Sequence, residues 1–155
     1  MRSRTPIPRT PIPLLLAAVL AAPSGAAEPL GKTELAPGVT FEVTRLAKLP
    51  GHEIVELRFA VVNGTADTVT LERLRIGTSL TVSEVLLLDL ANATAHKIGE
   101  AGTERLASRY RDGGPVPPGE RREFWAWYKA PPASVTKLGV LVPGTPPLLD
   151  LPLAR

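Results

Sequence analysis

The sequence has no cysteine and few aromatic or histidine side chains, and each shortage excludes some chemistry. Without cysteine there are no disulfides, thiol nucleophiles, iron–sulfur clusters or cysteine zinc sites. The two histidines, His52 and His96, stand in separate predicted turns without clustered carboxylates, so the spacing of a metal site is not met. We therefore expect no cofactor. The fold must depend on a hydrophobic core, and a chain of this length buries roughly two thirds of its unfolded surface.

The first 27 residues have the order of a secretory signal peptide. Three arginines precede the apolar run LLLAAVLAA, and the small residues PSGAA follow it, so cleavage is predicted after Ala27. The apolar run is too short for a bilayer span, which disfavours the alternative of a retained anchor. No cysteine follows it, so no lipid anchor is expected. We predict an exported protein, periplasmic or extracellular, with no membrane span after cleavage.

The positive net charge belongs to this leader. The chain has 18 basic and 15 acidic residues, for a net charge of +3. Arg2, Arg4 and Arg9 lie in the leader, which has no acidic residue, so the remaining chain has 15 of each sign. A neutral domain lacks the electrostatic signature of binding to nucleic acid or to an anionic membrane. We expect neither as a partner.

The rest of the chain is predicted to be all-β. Residues 28–38 show no periodicity and are predicted to be an N-terminal arm, with the domain at 39–155. The segments VTFEV and IVELRFAVV alternate between apolar and polar residues, as half-buried strands do, and place Glu56 and Arg58 outward. Asn63-Gly64 is a turn signal, because both residues accept a positive φ angle. Further strands are predicted at 68–77, 84–90, around EFWAWY, and at 136–144 and 148–153. This pattern is typical of an immunoglobulin-like β-sandwich of seven or eight antiparallel strands.

Three segments resemble a family of bacterial immunoglobulin-like envelope domains. They are IVELRFAVVNGTADTVTL, SEVLLLDLANATAHKI, and the last and most specific one, VPPGERREFWAWYKAPPASVTKLGVLVPGTPPLLDLPL. Such domains often occur beside a peptidoglycan-binding domain like that of outer membrane protein A. The resemblance implies a non-catalytic module of the cell envelope whose partner is an envelope protein or a cell-wall glycan. It supplies no functional residues.

Support for an enzyme is weak. No G-x-S-x-G elbow, glycine-rich phosphate loop or zincin helix is present. A hydrolase would have to assemble its site from Asp89, Asp150 or His96. A carboxylate beside apolar strands is more often paired or turned to solvent than catalytic. We therefore predict that the protein is not an enzyme, with a hydrolase as the less favoured alternative.

The strongest candidate for a binding surface is the aromatic strand EFWAWY. Strand alternation places Phe124 and Tyr128 on the core side, and Trp125 and Trp127 on the outer side as a flat apolar surface. Such a pair stacks on sugar rings or on a partner's side chains. The alternative is that the tryptophans lie under the proline-rich loop or stack on Arg109 or Arg111 by cation–π contact.

Arginines in SRYRDGG and GERRE extend this candidate surface. Arg109 and Arg111 are predicted to contribute to the surface, as contacts for an anion or an acidic glycan. Arg121 and Arg122 stand in the neighbouring segment. The alternative is a solvated face with acidic neighbours, where each exposed ion pair contributes about 0–1 kcal/mol.

Overall fold

The computed structural model describes residues 28–155, so the predicted signal peptide lies outside the described residues. The described chain contains strands and one 3-10 helix, Leu90–Asn92. The strands are β1 (Gly31–Ala36), β2 (Val39–Lys48), β3 (Ile54–Asn63), β4 (Val69–Thr70), β5 (Leu86–Asp89), β6 (Thr94–His96), β7 (Glu100–Ala101), β8 (Glu104–Arg105), β9 (Pro115–Val116), β10 (Arg121–Lys129), β11 (Lys137–Leu141) and β12 (Leu148–Pro152). Over residues 28–155, no helix is long and apolar enough to cross a membrane.

Two four-stranded antiparallel sheets form a sandwich. The first has the strand order β1-β2-β3-β10, and the second has the order β12-β11-β5-β6. Two short ribbons, β4-β9 and β7-β8, accompany them. Both sheets contribute to one hydrophobic core, with Phe59 from the first sheet and Leu87 from the second fully buried in it. The all-β sandwich and the eight strands of its two main sheets confirm the predicted fold class.

Alternation along β2 and β3 builds the first sheet's half of the core. The inward residues Val39, Phe41 and Val43 are buried, and so are their counterparts on β3. Phe59 lies between two other phenylalanines, with its ring centroid 4.6 Å from that of Phe41 and 5.6 Å from that of Phe124. The predicted inward face of these strands is confirmed.

Tyr128 joins the two sheets. Its side chain on β10 is buried, and its hydroxyl donates a hydrogen bond of 3.0 Å to the carbonyl of Val85, just before β5. Burial raises the pKa of Tyr128, so the phenol stays protonated and keeps this donor. The inner face of the aromatic strand is thereby fixed to the opposite sheet.

Two segments differ from the prediction. The predicted arm contains β1, whose backbone pairs with β2, and Leu35 and Ala36 pack against the core. The predicted strand 68–77 is wrong beyond Thr70: the chain turns from Leu71, and Arg75 has a φ of 59°. In both places apolar contacts decide the conformation. Leu71 and Ile76, five positions apart, both reach the core only because the chain turns between them.

Candidate functional site

Trp125 and Trp127 lie together on the outer face of the first sheet. Along β10 the residues Phe124, Ala126 and Tyr128 are buried, and the two tryptophans alternate with them on the opposite face. Their neighbours across β3 are Arg58 for Trp125 and Glu56 for Trp127. The tryptophans are half-buried, so each ring keeps part of its surface in contact with solvent.

The two indole rings do not form a flat platform. Their centroids are 5.2 Å apart and their planes are inclined by 45°. The expected flat surface is therefore wrong, because cross-strand contacts hold one ring at an angle to the other. The pair instead forms an angled apolar surface, beside Arg58 and Glu56 in the sheet register.

Glu56 holds Trp127 in place. One carboxylate oxygen of Glu56 accepts a hydrogen bond of 3.2 Å from the indole Nε1 of Trp127. The other oxygen accepts a bond of 2.8 Å from Nε of Arg58 and lies 3.6 Å from a guanidinium nitrogen of Arg45. Glu56 was predicted to face solvent, but it is only 6% exposed. It points to the outer face as predicted, and these three side chains cover it.

The ionised form of Glu56 is favoured in the folded protein. Burial alone raises the pKa of Glu56, but hydrogen bonds from Arg58 and Trp127, with the charges of Arg58 and Arg45, outweigh it. The net effect is a pKa below the usual value of 4.5. A carboxylate at pH 7 therefore keeps the indole N–H and two guanidinium groups in one arrangement.

Acid is expected to weaken the fold through Glu56. Because its folded pKa is depressed, its contribution to stability is fully present above the unfolded pKa and is lost as pH falls through the folded pKa. Denaturant unfolding from about pH 6 to about pH 2 measures this. We expect a steeper loss in wild type than in Glu56→Gln, which cannot titrate there. Equal pH slopes in the two proteins would contradict this linkage.

The backbone around the tryptophans is held on both sides. On one side β10 pairs with β3. On the other side it forms three backbone hydrogen bonds of 2.8 Å with the segment 99–108. These bonds run from Gly99 N–H to Trp127 O, from Trp127 N–H to Leu106 O, and from Ser108 N–H to Trp125 O. The hydroxyl of Ser108 also accepts a bond of 2.7 Å from the N–H of Trp125. The aromatic strand therefore has no open edge along Trp125–Trp127. Its side chains are displayed from a rigid element.

Arg109 and Arg111 lie in a different place from the tryptophans. They line a cleft of about 420 Å³ together with Leu80 and Tyr110, and neither tryptophan is part of its lining. Arg109 forms an ion pair of 2.5 Å with Glu104, and both side chains are exposed. The arginine nearest Trp125 in the sheet register is Arg58. The four predicted site residues thus divide between the tryptophan face and this cleft.

The three residues expected for a hydrolase site are not brought together in the pocket that Asp150 lines. Asp89 is buried and caps the 3-10 helix, accepting bonds from Asn92 N–H at 3.2 Å and from its side-chain amide at 2.7 Å. Asp150 is exposed and lies 3.8 Å from Lys137. Asp150 lines a shallow pocket of about 220 Å³ whose lining includes neither Asp89 nor His96. Within residues 28–155, no group of three or more acidic or histidine residues is placed to hold a metal ion.

Sequence reasoning missed the buried carboxylate beneath the tryptophan pair. The signal that was present is the placement of Glu56 and Arg58 at alternate positions of β3, opposite two tryptophans at alternate positions of β10. Only the pairing register of β3 with β10, which are far apart in the sequence, shows that these charged residues lie beside the tryptophans. The third member, Arg45, comes from β2 after a bulge between Val43 and Arg45, which alternation alone does not reveal.

Comparison with solved structures finds a weak likeness to MPT63, a secreted protein of Mycobacterium tuberculosis. The sequence identity is 18%, the likeness covers 74% of this chain and 79% of that chain, and the TM-score is 0.40. No protein-family model matches the chain, and the comparison with curated proteins gives no match. The sandwich architecture is established by the two sheets and their shared core.

Proposed function

We propose that this protein is an exported, non-catalytic binding module of the bacterial cell envelope, and that the outer face around Trp125 and Trp127 binds a cell-wall glycan. The observation that carries the proposal is the tilted tryptophan pair, half-buried on a rigid strand, with Trp127 braced by the buried Glu56. Export is supported by the order of residues 1–27. The periplasm and the cell exterior both fit.

The chemistry of the face suits a saccharide. One side of a pyranose ring is apolar and packs against an indole, while its hydroxyls seek polar partners around the rim. The rim here is polar: the side chains of Arg45 and Arg58 are about half exposed, at 51% and 49%. Binding sites for small ligands commonly combine aromatic contact with a few placed polar groups. A protein that binds its ligand reversibly needs a binding surface that stays ordered when the ligand is absent. The hydrogen bonds of Glu56 keep this surface ordered.

Preorganisation strengthens the case for binding over simple packing. A tryptophan whose ring and backbone are already fixed loses little conformational entropy when a ligand stacks on it. Trp127 is held by the Glu56 hydrogen bond at its ring and by backbone bonds on both edges of β10. The pair therefore contributes apolar contact at low entropic cost.

Co-sedimentation with purified peptidoglycan, and titration with a soluble β-1,4-linked N-acetylglucosamine tetramer, test this function. We expect Trp125→Ala and Trp127→Ala each to weaken tetramer binding at least tenfold, which corresponds to about 1.4 kcal/mol. Leu149→Ala is the matched control, because it removes an exposed apolar side chain from the other sheet. Unchanged binding in both tryptophan variants, or no binding by the wild type, would overturn the proposal.

A further inference from the structure

The cleft that contains Arg109 and Arg111 is a built feature of the fold. Its lining includes Leu80 and Thr81 from the turn Gly77–Val82, in which Thr78 N–H donates to the Thr81 carbonyl at 2.8 Å. The hydroxyl of Thr78 also accepts bonds of 3.2 Å from the N–H groups of Leu80 and Thr81. Leu80 is thereby fixed at the tip of a tight turn, where it is 63% exposed. Turn tips usually carry polar residues. Here the exposed leucine adds apolar surface to the cleft lining.

Tyr110 also lines the cleft. Its ring packs edge-on against Phe124, with centroids 6.0 Å apart, and its N–H donates to the Leu80 carbonyl at 2.9 Å. Burial, together with the charge of Glu72, raises the pKa of Tyr110 to about 12. The phenol is therefore neutral at physiological pH. Leu80 and the ring of Tyr110 supply apolar surface to the cleft lining.

The lining of the cleft also carries an excess of positive charge. Three arginines and one carboxylate line it: Arg105, Arg109, Arg111 and Glu104. Arg105 is held by its bond of 3.1 Å to the Ser83 carbonyl and lies 4.0 Å from a carboxylate oxygen of Glu100, which offsets part of its charge. The Arg109–Glu104 pair is exposed, so it contributes at most about 1 kcal/mol and exchanges readily for another anion. Arg111 is exposed and has no ion-pair partner within residues 28–155.

We propose that this cleft binds an amphipathic organic anion, a carboxylate carried on an apolar chain, with the carboxylate on Arg111 and Arg109 and the chain against Leu80 and Tyr110. The volume of about 420 Å³ lies within the range of small-molecule sites. A guanidinium group binds a carboxylate through paired hydrogen bonds, which gives the anion a defined position. The site is separate from the tryptophan face, because its lining includes neither tryptophan.

Calorimetric titration of the purified protein with decanoate, below the concentration at which decanoate forms micelles, tests the proposal. We expect Arg111→Gln to weaken decanoate binding about tenfold, as loss of a charge-assisted hydrogen bond does. Leu80→Ser should weaken it about threefold or more through lost apolar contact. Arg73→Gln is the matched control: it makes the same change of charge at an exposed residue outside the cleft lining. It should bind like the wild type.

Comparison with two other probes and one further variant makes the result decisive. Decanol and inorganic phosphate should each bind much more weakly than decanoate. Decanol has the apolar chain but no negative charge, and phosphate has the negative charge but no apolar chain. Trp125→Ala should bind decanoate normally. The proposal is overturned if decanoate does not bind, if decanol or phosphate binds as tightly as decanoate, or if Arg111→Gln and Arg73→Gln behave alike. It is also overturned if Trp125→Ala removes decanoate binding.

Discussion

Phe59→Ala is expected to lower the free energy of unfolding by about 3–5 kcal/mol, the loss typical of a large aromatic side chain removed from a core. Phe59 is fully buried on β3, the strand that pairs with both β2 and β10. Its ring lies between the rings of Phe41 and Phe124, so the substitution removes two aromatic contacts and leaves a cavity between the sheets. A loss of this size is a large share of the stability of a small domain.

Denaturant unfolding curves measure this effect as a lower midpoint with an unchanged slope. Phe59→Leu keeps most of the volume and should lose less than about 1.5 kcal/mol. Leu90→Ala removes apolar atoms at a position that is 61% exposed, so it should change the stability by less than about 0.5 kcal/mol. Similar losses in Phe59→Ala and Leu90→Ala would show that the core described here does not hold the two sheets together.

Asn63→Ala is expected to lower the free energy of unfolding by about 2–4 kcal/mol, since each buried partner left without a hydrogen bond costs about 1–3 kcal/mol. The side chain of Asn63 is fully buried at the end of β3. Its amide donates to the carbonyls of Asp67 and Val116 at 2.8 Å and 2.9 Å. Its oxygen accepts from the N–H and the hydroxyl of Thr65 at 3.0 Å and 2.7 Å.

These bonds make Asn63 the junction between the turn after β3 and the loop before β10. Its own backbone bonds to that loop too, with N–H to Glu120 O at 2.9 Å and Gly119 N–H to Asn63 O at 2.7 Å. Asn63→Asp keeps the acceptor but presents an oxygen to two carbonyl groups, so at pH 7 it should destabilise the fold at least as much as Asn63→Ala. Thermal unfolding of the two variants is the measurement. Near-native stability of Asn63→Asp would contradict a role for the amide donors.

Prediction from the sequence was most accurate where apolar and polar residues alternate along a single strand, because the apolar set then marks the buried face. The inward residues of β2 before its bulge, those of β3 and the two faces of β10 follow alternation, and the structure places the inward residues in the core. The end of β3 at Asn63 was also predicted, but through positive φ angles at Asn63 and Gly64. Neither residue has a positive φ. The chain turns there because the side-chain amide of Asn63 forms hydrogen bonds with the backbone N–H of Thr65 and the backbone carbonyl of Asp67.

Prediction was weakest where long-range contacts override local pattern. The strand expected at 68–77 ends at Thr70 and the chain then turns, because the turn lets both Leu71 and Ile76 be buried. The candidate surface was predicted to include Arg109 and Arg111, but they follow Ser108, where the chain leaves β10 to pair with Thr81. The arginines therefore line the cleft with Leu80. Only cross-strand register identifies Arg58 and Glu56 as neighbours of the tryptophans.

The most direct test of the tryptophan face is acrylamide quenching of fluorescence in Trp125→Phe and Trp127→Phe, so that each remaining tryptophan reports alone. Both rings are half-buried, and we expect intermediate quenching of each in the free protein. A saturating β-1,4-linked N-acetylglucosamine tetramer should then protect whichever tryptophan remains, provided that the single variant still binds it. Emission that resists quenching in the free protein, or quenching that the tetramer leaves unchanged in the wild type and in both variants, would contradict a glycan-binding tryptophan face.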